Sequence, residues 1–192
     1  MKKFLLVLVI VFSVSCGTDI DREIKHKAEE DVSQKIPSDY NPEAKLEGLD
    51  ITLRDQGTPV ANYVHAVRTG NLIFLAGKGP KQANGENVVG KLGPDLTVEE
   101  GYAAAQEVGI NQLSVLKAEL GNLNKVKRVV KVKGMVNASP DFKDHSKVIN
   151  GYSDLMVAVF GEAGKHARAA VGMGSLPGNM AVEVEMVVEV YE

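Results

Sequence analysis

The sequence has little of what several common classes of protein need. It contains one cysteine, Cys16, so it can form neither an intrachain disulfide nor a multi-cysteine zinc site. Tryptophan is absent and aromatic residues make up 5%, which leaves few surfaces on which nucleic-acid bases could stack. The formal net charge is −3, and no nucleic acid is expected as a partner. No apolar run is long enough to span a bilayer in the mature protein.

Several catalytic and metal-binding motifs are also missing. The histidines are scattered and no His-Glu-x-x-His pattern occurs, so we expect no metal site. The segment Gly77-Lys78-Gly79-Pro80 lacks the spacing of a phosphate-binding loop. There is no Gly-x-Ser-x-Gly elbow, which argues against acyl transfer through a serine nucleophile. No cofactor is expected.

The N-terminus is typical of an export signal. Lys2 and Lys3 precede an unbroken apolar run over Phe4–Phe12, and small residues lead to Cys16. A cysteine at this point is where a lipoprotein signal places its lipidated residue, although Ser13 stands where such signals usually have Leu. We therefore expect residues 1–16 to be a signal peptide and Cys16 to anchor the protein by a lipid in the bacterial cell envelope, on the periplasmic side. The alternative is a plain secretory signal whose cysteine is incidental.

Residues 17–44 are polar and dense in charge, and we interpret them as a tether. Their apolar residues recur every fourth position, a period that drifts off one face of a 3.6-residue helix. A single folded domain is then expected over residues 45–192, a length that suits one hydrophobic core.

Hydrophobic periodicity predicts an α+β domain of order β-β-α-β-α-β-β. The predicted elements are a hairpin over 62–68 and 71–76, a helix from Thr97 to Gly121, a strand over 126–136, a helix from Ser139-Pro140 to Gly161, and strands over 167–173 and 180–191. Thr97 and Glu100 form a capping-box pattern, while Ser139 followed by Pro140 is typical of a helix start. We expect a mixed sheet with both helices on one face, and Val130, Val132 and Val136 on one side of their strand.

Two charged residues are candidates for chemistry. Arg168 shares its predicted strand face with Ala170 and Gly172, which are small and leave room for a ligand carboxylate on its guanidinium. The alternative is a solvated or ion-paired arginine. Glu183, on the next strand, could position or activate water, or could simply belong to a solvated row of glutamates.

The C-terminal region resembles a known family. The stretch His166-Ala167-Arg168-Ala169-Ala170-Val171-Gly172-Met173-Gly174-Ser175-Leu176-Pro177, followed by Val182-Glu183-Val184-Glu185, is similar to the signature of the YjgF/RidA family. Its members are reactive intermediate deaminases and have also been labelled endoribonuclease L-PSP. The segment from Asn62 to Pro80 resembles the opening hairpin of the family, and Asn150 falls where the family has an Asn in its second helix.

The resemblance implies a chorismate-mutase-like fold and a homotrimer with clefts between subunits. It also implies hydrolysis of enamines and imines of the 2-aminoacrylate type to 2-keto acids and ammonia. By position, Arg168 would hold the substrate carboxylate, Glu183 would orient water, and Asn150 would support the cleft that Tyr63 and Gly77 line. The alternative is a non-catalytic module that binds or senses small carboxylates.

Two positions depart from the family pattern. Ala170 stands where many active members have Cys, and Lys78 follows Gly77 where many have Gln. These departures concern the range of substrates more than the expected carboxylate clamp.

Overall fold

The structure, a computed structural model, describes residues 35–191. The predicted signal peptide, Cys16 and residues 17–34 of the predicted tether lie outside these residues. In chain order the elements are α1 (Pro42–Gly48), β1 (Ala66–Thr69), β2 (Leu72–Lys78), α2 (Val98–Leu120), β3 (Val126–Asn137), α3 (His145–Phe160), β4 (Ala167–Met173) and β5 (Val182–Val190). The predicted order is confirmed, with the short helix α1 added before it. None of the helices in this part of the chain has the length and apolar character needed to cross a membrane.

The five strands form one mixed sheet in the order β1-β2-β5-β3-β4. All neighbouring strands are antiparallel except β3 and β4, which run parallel and are connected through α3. Both α2 and α3 pack on the same face, so the predicted α+β class with a mixed sheet and two helices on one face is confirmed. The other face, here called the open face, is not covered by any element of residues 35–191.

Strand β5 shows how the sequence separates the two faces. Its alternate residues Val182, Val184, Met186, Val188 and Val190 are buried against the helices. The residues between them point to the open face and include three glutamates. Burial of each apolar side chain contributes about 1.5–3 kcal/mol, so a shift of register by one residue is strongly disfavoured.

Helix α2 begins and ends where its capping residues predict. The Thr97 hydroxyl accepts a hydrogen bond from the backbone N–H of Glu100 at 3.2 Å, and the Glu100 carboxylate accepts one from the Thr97 N–H at 2.8 Å. Gly121 ends the helix in the left-handed conformation, with φ of 73°. Within the helix, Gly109 lies against Leu155, so the absence of a side chain lets α2 and α3 approach closely.

The start of α3 differs from the prediction. The helix begins at His145 with Asp144 as its N-cap, and Ser139-Pro140 does not start it. The Ser139 N–H donates to the Leu92 carbonyl, and Ala138 pairs with Leu92 as an isolated bridge. These backbone bonds hold Ala138 and Ser139 beside Leu92, a turn at Pro140 and Asp141 follows, and the helix starts only after it.

Irregular pairing accounts for two further differences. In β3, Val129 is buried and Val130 is exposed, because the register against β5 shifts between Val129 and Lys131. The prediction that Val130 shares a face with Val132 was therefore wrong. The first strand is also shorter than the predicted 62–68, because its ladder with β2 runs only from Ala66, paired with Leu75, to Thr69, paired with Leu72.

Helix α1 joins the domain through one apolar and one charged residue. Leu46 is buried in the core, and the Glu43 carboxylate accepts hydrogen bonds from Lys117 Nζ at 2.7 Å and the Leu123 N–H at 3.1 Å. The hydrogen bond from Lys117 holds the pKa of Glu43 below its ordinary value. The last residues of the predicted 17–44 tether are thus helical and form part of the domain.

Gln112 stabilises the irregular junction between β2 and β5. Its side chain is fully buried in α2, and Nε2 donates to the carbonyls of Ala76 at 3.1 Å and Val184 at 2.8 Å. Ala76 lies inside the register shift between Leu75 and Lys78. The Gln112 side-chain amide therefore donates to backbone carbonyls that the β2–β5 ladder leaves without a partner.

We expect Gln112→Leu to lower the free energy of unfolding by about 1–3 kcal/mol, because two buried carbonyls lose a donor while the shape is nearly kept. The loss is moderated because Gln112 Oε1 itself has no partner among residues 35–191. Urea denaturation measures the change, with Gln106→Leu on the same helix as control, expected within about 0.5 kcal/mol of wild type. Equal stabilities for the two variants would contradict this role.

Candidate functional site

Arg168 lies on the edge strand β4 and points to the helix-covered face. Its register partner on β3 is Val132, which is buried under the helices. Arg168 Nη1 donates to Asn150 Oδ1 at 2.9 Å and to Ser153 Oγ at 3.0 Å. Asn150 and Ser153 are three residues apart on α3 and so share one helix face. The structure thus brings together Arg168 and Asn150, two residues that the family resemblance assigns to one cleft.

The guanidinium of Arg168 is only partly engaged. Within residues 35–191, neither Nε nor Nη2 forms a hydrogen bond or an ion pair. The side chain borders a cavity of about 240 Å³, together with Ser153, Val157, Lys165 and His166. One side of the fork is therefore fixed by the protein, and the other is free to pair with two oxygens of a carboxylate.

The small residues near Arg168 act differently from expectation. Gly172 does not leave open space above the strand, because a Cβ there would overlap the imidazole of His145. Ala170 is partly buried and packs against the core. Room for a ligand lies instead on the side of Ser153 and His166.

His166 extends this group through a second polar contact. Its Nδ1 lies 2.7 Å from the Gly164 carbonyl and its Nε2 lies 3.1 Å from Ser153 Oγ. A carbonyl only accepts, so Nδ1 carries the hydrogen and the neutral ring accepts from the Ser153 hydroxyl at Nε2. Burial, and to a smaller extent Arg168, lowers the pKa of His166 below its ordinary value, while the bond to Gly164 opposes the shift. We call Asn150, Ser153, His166 and Arg168 the clamp group.

Ser153 and His166 were not predicted as site residues. The available signals were the three-residue spacing of Ser153 from Asn150 and the position of His166 two residues before Arg168. Neither signal shows that the two side chains meet, because their contact depends on how α3 packs beside the start of β4.

Glu183 lies on the open face, opposite the shifted segment of β2. A Cβ on Gly77 would overlap the Glu183 carboxylate, so this glycine provides the space that the carboxylate occupies. Burial raises the pKa of Glu183, the nearby Glu185 raises it further, and Lys133 opposes both effects. A carboxylate with a raised pKa accepts protons more readily near neutral pH. We call Gly77 and Glu183 the carboxylate pair.

Tyr63 belongs to neither group within the described chain. It lies in the segment before β1, and 50% of its side chain is exposed.

The clamp group and the carboxylate pair lie on opposite faces of the sheet. Arg168 is level with Val132 of β3, and Glu183 is level with Met135, three residues further along. Two strand spacings also separate β4 from β5, so the two Cα atoms are roughly 14 Å apart. One chain therefore does not bring Arg168 and Glu183 to the same substrate.

Other candidate sites in the described chain are less informative. Residues 35–191 contain no group of three His, Cys, Asp or Glu side chains that could hold a metal ion. A larger cavity of about 670 Å³ lies between α2, α3 and residues 49–51, but no predicted site residue lines it.

Comparison with known proteins supports the fold and its assignment. Residues 43–190 match the family model described as "YjgF/chorismate mutase-like, putative endoribonuclease". Protein TCP17 of Trypanosoma cruzi is 46% identical over 147 residues, which cover 76% of this chain and 92% of that protein.

Two solved structures show the same architecture. Atu1372 of Agrobacterium tumefaciens, described as a protein of unknown function, is 42% identical with a TM-score of 0.72, over 78% of this chain and 93% of that chain. RidA from an Antarctic Psychrobacter is 26% identical with a TM-score of 0.51, over 72% and 98% of the two chains. The match over most of the domain, together with the mixed sheet and its two helices, shows that the chain belongs to the YjgF/chorismate mutase-like family of endoribonuclease- and RidA-related proteins.

Proposed function

We propose that the protein hydrolyses reactive enamines and imines of 2-amino acids to 2-keto acids and ammonia. The observation that carries the proposal is the partly free guanidinium of Arg168, held by Asn150 and Ser153 beside a cavity. Such a fork selects a planar carboxylate, which every substrate of this class has next to its reacting carbon. The relationship to a protein named RidA supports the same chemistry.

In the proposed reaction the substrate carboxylate pairs with Nε and Nη2 of Arg168. Glu183 orients a water molecule by accepting its hydrogen bond, and the water oxygen attacks the imine carbon. A C–O bond forms, the C–N bond breaks, and nitrogen leaves as ammonia. The raised pKa of Glu183 suits a group that handles water near neutral pH.

A second copy of the chain is needed to complete this site. Arg168 and Glu183 lie on opposite faces of the sheet, so each must act with its counterpart on another subunit. The open face also exposes Val67, Phe74 and Val171, three apolar side chains that a partner would cover. We propose a homotrimer, because a heterologous contact repeated around a closed ring brings the clamp group of each chain to the carboxylate pair of its neighbour.

We further propose that the protein acts at the periplasmic side of a bacterial envelope, anchored through Cys16. The support is the sequence alone: two lysines, an apolar run and the only cysteine of the chain follow one another within residues 1–16.

Replacing Cys16 with Ala should move the protein from the membrane fraction to the soluble fraction of its cells, because the only thiol available for lipidation is removed. Ser15→Ala, one residue away, serves as the matched control and should stay with the membrane. Cell fractionation followed by immunoblotting measures how the protein divides between the two fractions. A Cys16→Ala protein that remains in the membrane fraction would contradict the lipid anchor.

Arg168→Ala should weaken binding of pyruvate by roughly 2–5 kcal/mol, or about one and a half to four decades in Kd, because a charge-assisted pair is lost. Arg168→Lys should recover little of it, since an ammonium group does not reproduce the planar fork. Calorimetry measures the affinities, and Arg68→Ala on β1 controls for the loss of one positive charge. Unchanged pyruvate affinity in Arg168→Ala would show that the carboxylate binds elsewhere.

The Glu183→Gln variant distinguishes the hypothesis of an enzyme from that of a non-catalytic binding module. In a deaminase it should lower the release of 2-keto acid from enamines generated in situ while leaving pyruvate affinity nearly intact, because water is handled only in the reaction. A wild-type protein that binds pyruvate but releases no 2-keto acid above background from any enamine would exclude the enzyme and leave the binding module.

A further inference from the structure

Ser153 and His166 form a directed chain of hydrogen bonds at the edge of the cavity beside Arg168. The Ser153 hydroxyl donates to His166 Nε2 over 3.1 Å, and His166 Nδ1–H donates to the Gly164 carbonyl over 2.7 Å. The second lone-pair side of Ser153 Oγ accepts from Arg168 Nη1 at 3.0 Å. A hydroxyl, an imidazole and a fixed acceptor in this order are the arrangement in which a histidine takes a proton from a hydroxyl.

We propose that Ser153 and His166 are the proton-transfer pair of the imine-hydrolysing site, with Ser153 Oγ contacting the reacting atoms and His166 holding the proton between two steps. This inference rests on the proposed function. It assigns a role to two residues of the clamp group that carboxylate binding alone does not require.

The proposed proton movements balance over one turnover. As the water oxygen bonds to the carbon of the protonated imine, one water proton passes to Ser153 Oγ and the Ser153 proton passes to His166 Nε2. The electron pair of the C=N bond moves to nitrogen, which becomes a neutral amine. His166 then returns its proton through Ser153 to that nitrogen, and the C–N bond breaks with its electron pair going to nitrogen. The hydroxyl proton on the same carbon passes to the departing ammonia as the C=O bond forms, so 2-keto acid and ammonium leave with the pair restored.

The position of the pair fits this role better than that of a mere support for Arg168. Ser153, His166 and Arg168 all line the same cavity of about 240 Å³, so a ligand that occupies this cavity lies beside all three side chains. Asn150 already holds Nη1 at 2.9 Å, so Ser153 is not needed as the only acceptor. The bond to Gly164 fixes the ring in the tautomer that accepts at Nε2.

The surroundings of His166 favour its neutral form, in which Nε2 accepts a hydrogen bond from the Ser153 hydroxyl. Burial and Arg168 lower its pKa. Lys165 shares the small cavity with it, while Arg128 of β3 and Glu189 of β5 line an adjoining cavity of about 630 Å³. Helix α3 contributes only the uncharged Ser153 and Val157 to the small cavity. The proton-accepting form is lost as the pH falls through this pKa, so the acidic limb of the kcat profile should lie below the ordinary histidine value of about 6.5.

The test compares three variants of the full chain with wild type, using 2-keto acid release and pyruvate binding. His166→Gln and Ser153→Ala should each lower kcat by about 10²–10⁴-fold, the usual contribution of a positioned acid–base group. Both should keep pyruvate affinity near wild type, and His166→Gln should lose the acidic limb. Ser153→Thr keeps the hydroxyl and should restore most of the rate.

His145→Gln is the matched control, since this histidine lies over Gly172, four residues along the strand from Arg168, and borders no part of the small cavity. It should leave the rate and the pH profile unchanged. If His166→Gln keeps the wild-type rate and limb, the proton-transfer role is wrong while the proposed function stands. If pyruvate binding falls in parallel with kcat, the pair only supports Arg168. A wild-type protein without 2-keto acid release overturns the proposed function and this pair together.

Discussion

The alternation of side chains on a sheet that is covered on one face only is the constraint on which the rest of the molecule depends. Strand β5 needs Val182, Val184 and Met186 under the helices, and this places Glu183 on the open face. The same rule, applied to β4 beside β3, turns Arg168 toward α3. The clamp group and the carboxylate pair therefore lie on opposite faces, because the apolar side chains of the core must all face the helices. A reaction that needs both groups must use two chains.

Burying a guanidinium on the helix-covered face costs free energy unless polar groups on that face form hydrogen bonds with it. The edge position of β4 lessens this cost, because Arg168 is only partly buried. Asn150 and Ser153 supply two acceptors from one face of α3, and Ser153 in turn is bonded to His166. A side chain anchored on one side and open on the other loses less freedom when a carboxylate binds, which favours affinity and a fixed orientation.

The sequence predicted best the features whose signals are local. The capping box at Thr97 and the alternation in β5 identified their elements because a few neighbouring residues decide them. The start at Ser139 and the face of Val130 were wrong because backbone pairing with Leu92 and a register shift, both made at a distance, overrode the local pattern. The family resemblance assigned Arg168 and Asn150 to one cleft without predicting their hydrogen bond, whereas the contact of Ser153 with His166 depends on packing that no local pattern reveals.

The central claim is that each working site combines the clamp group of one chain with the carboxylate pair of another. Mixing subunits tests it most directly: Arg168→Ala and Glu183→Gln chains are each assayed alone, and then after unfolding and refolding together in equal amounts. If each site uses Arg168 of one chain and Glu183 of its neighbour, about a quarter of the clefts in the mixture contain both intact residues. The mixture should therefore recover about a quarter of the wild-type rate. A mixture no more active than the two variants alone would contradict the account.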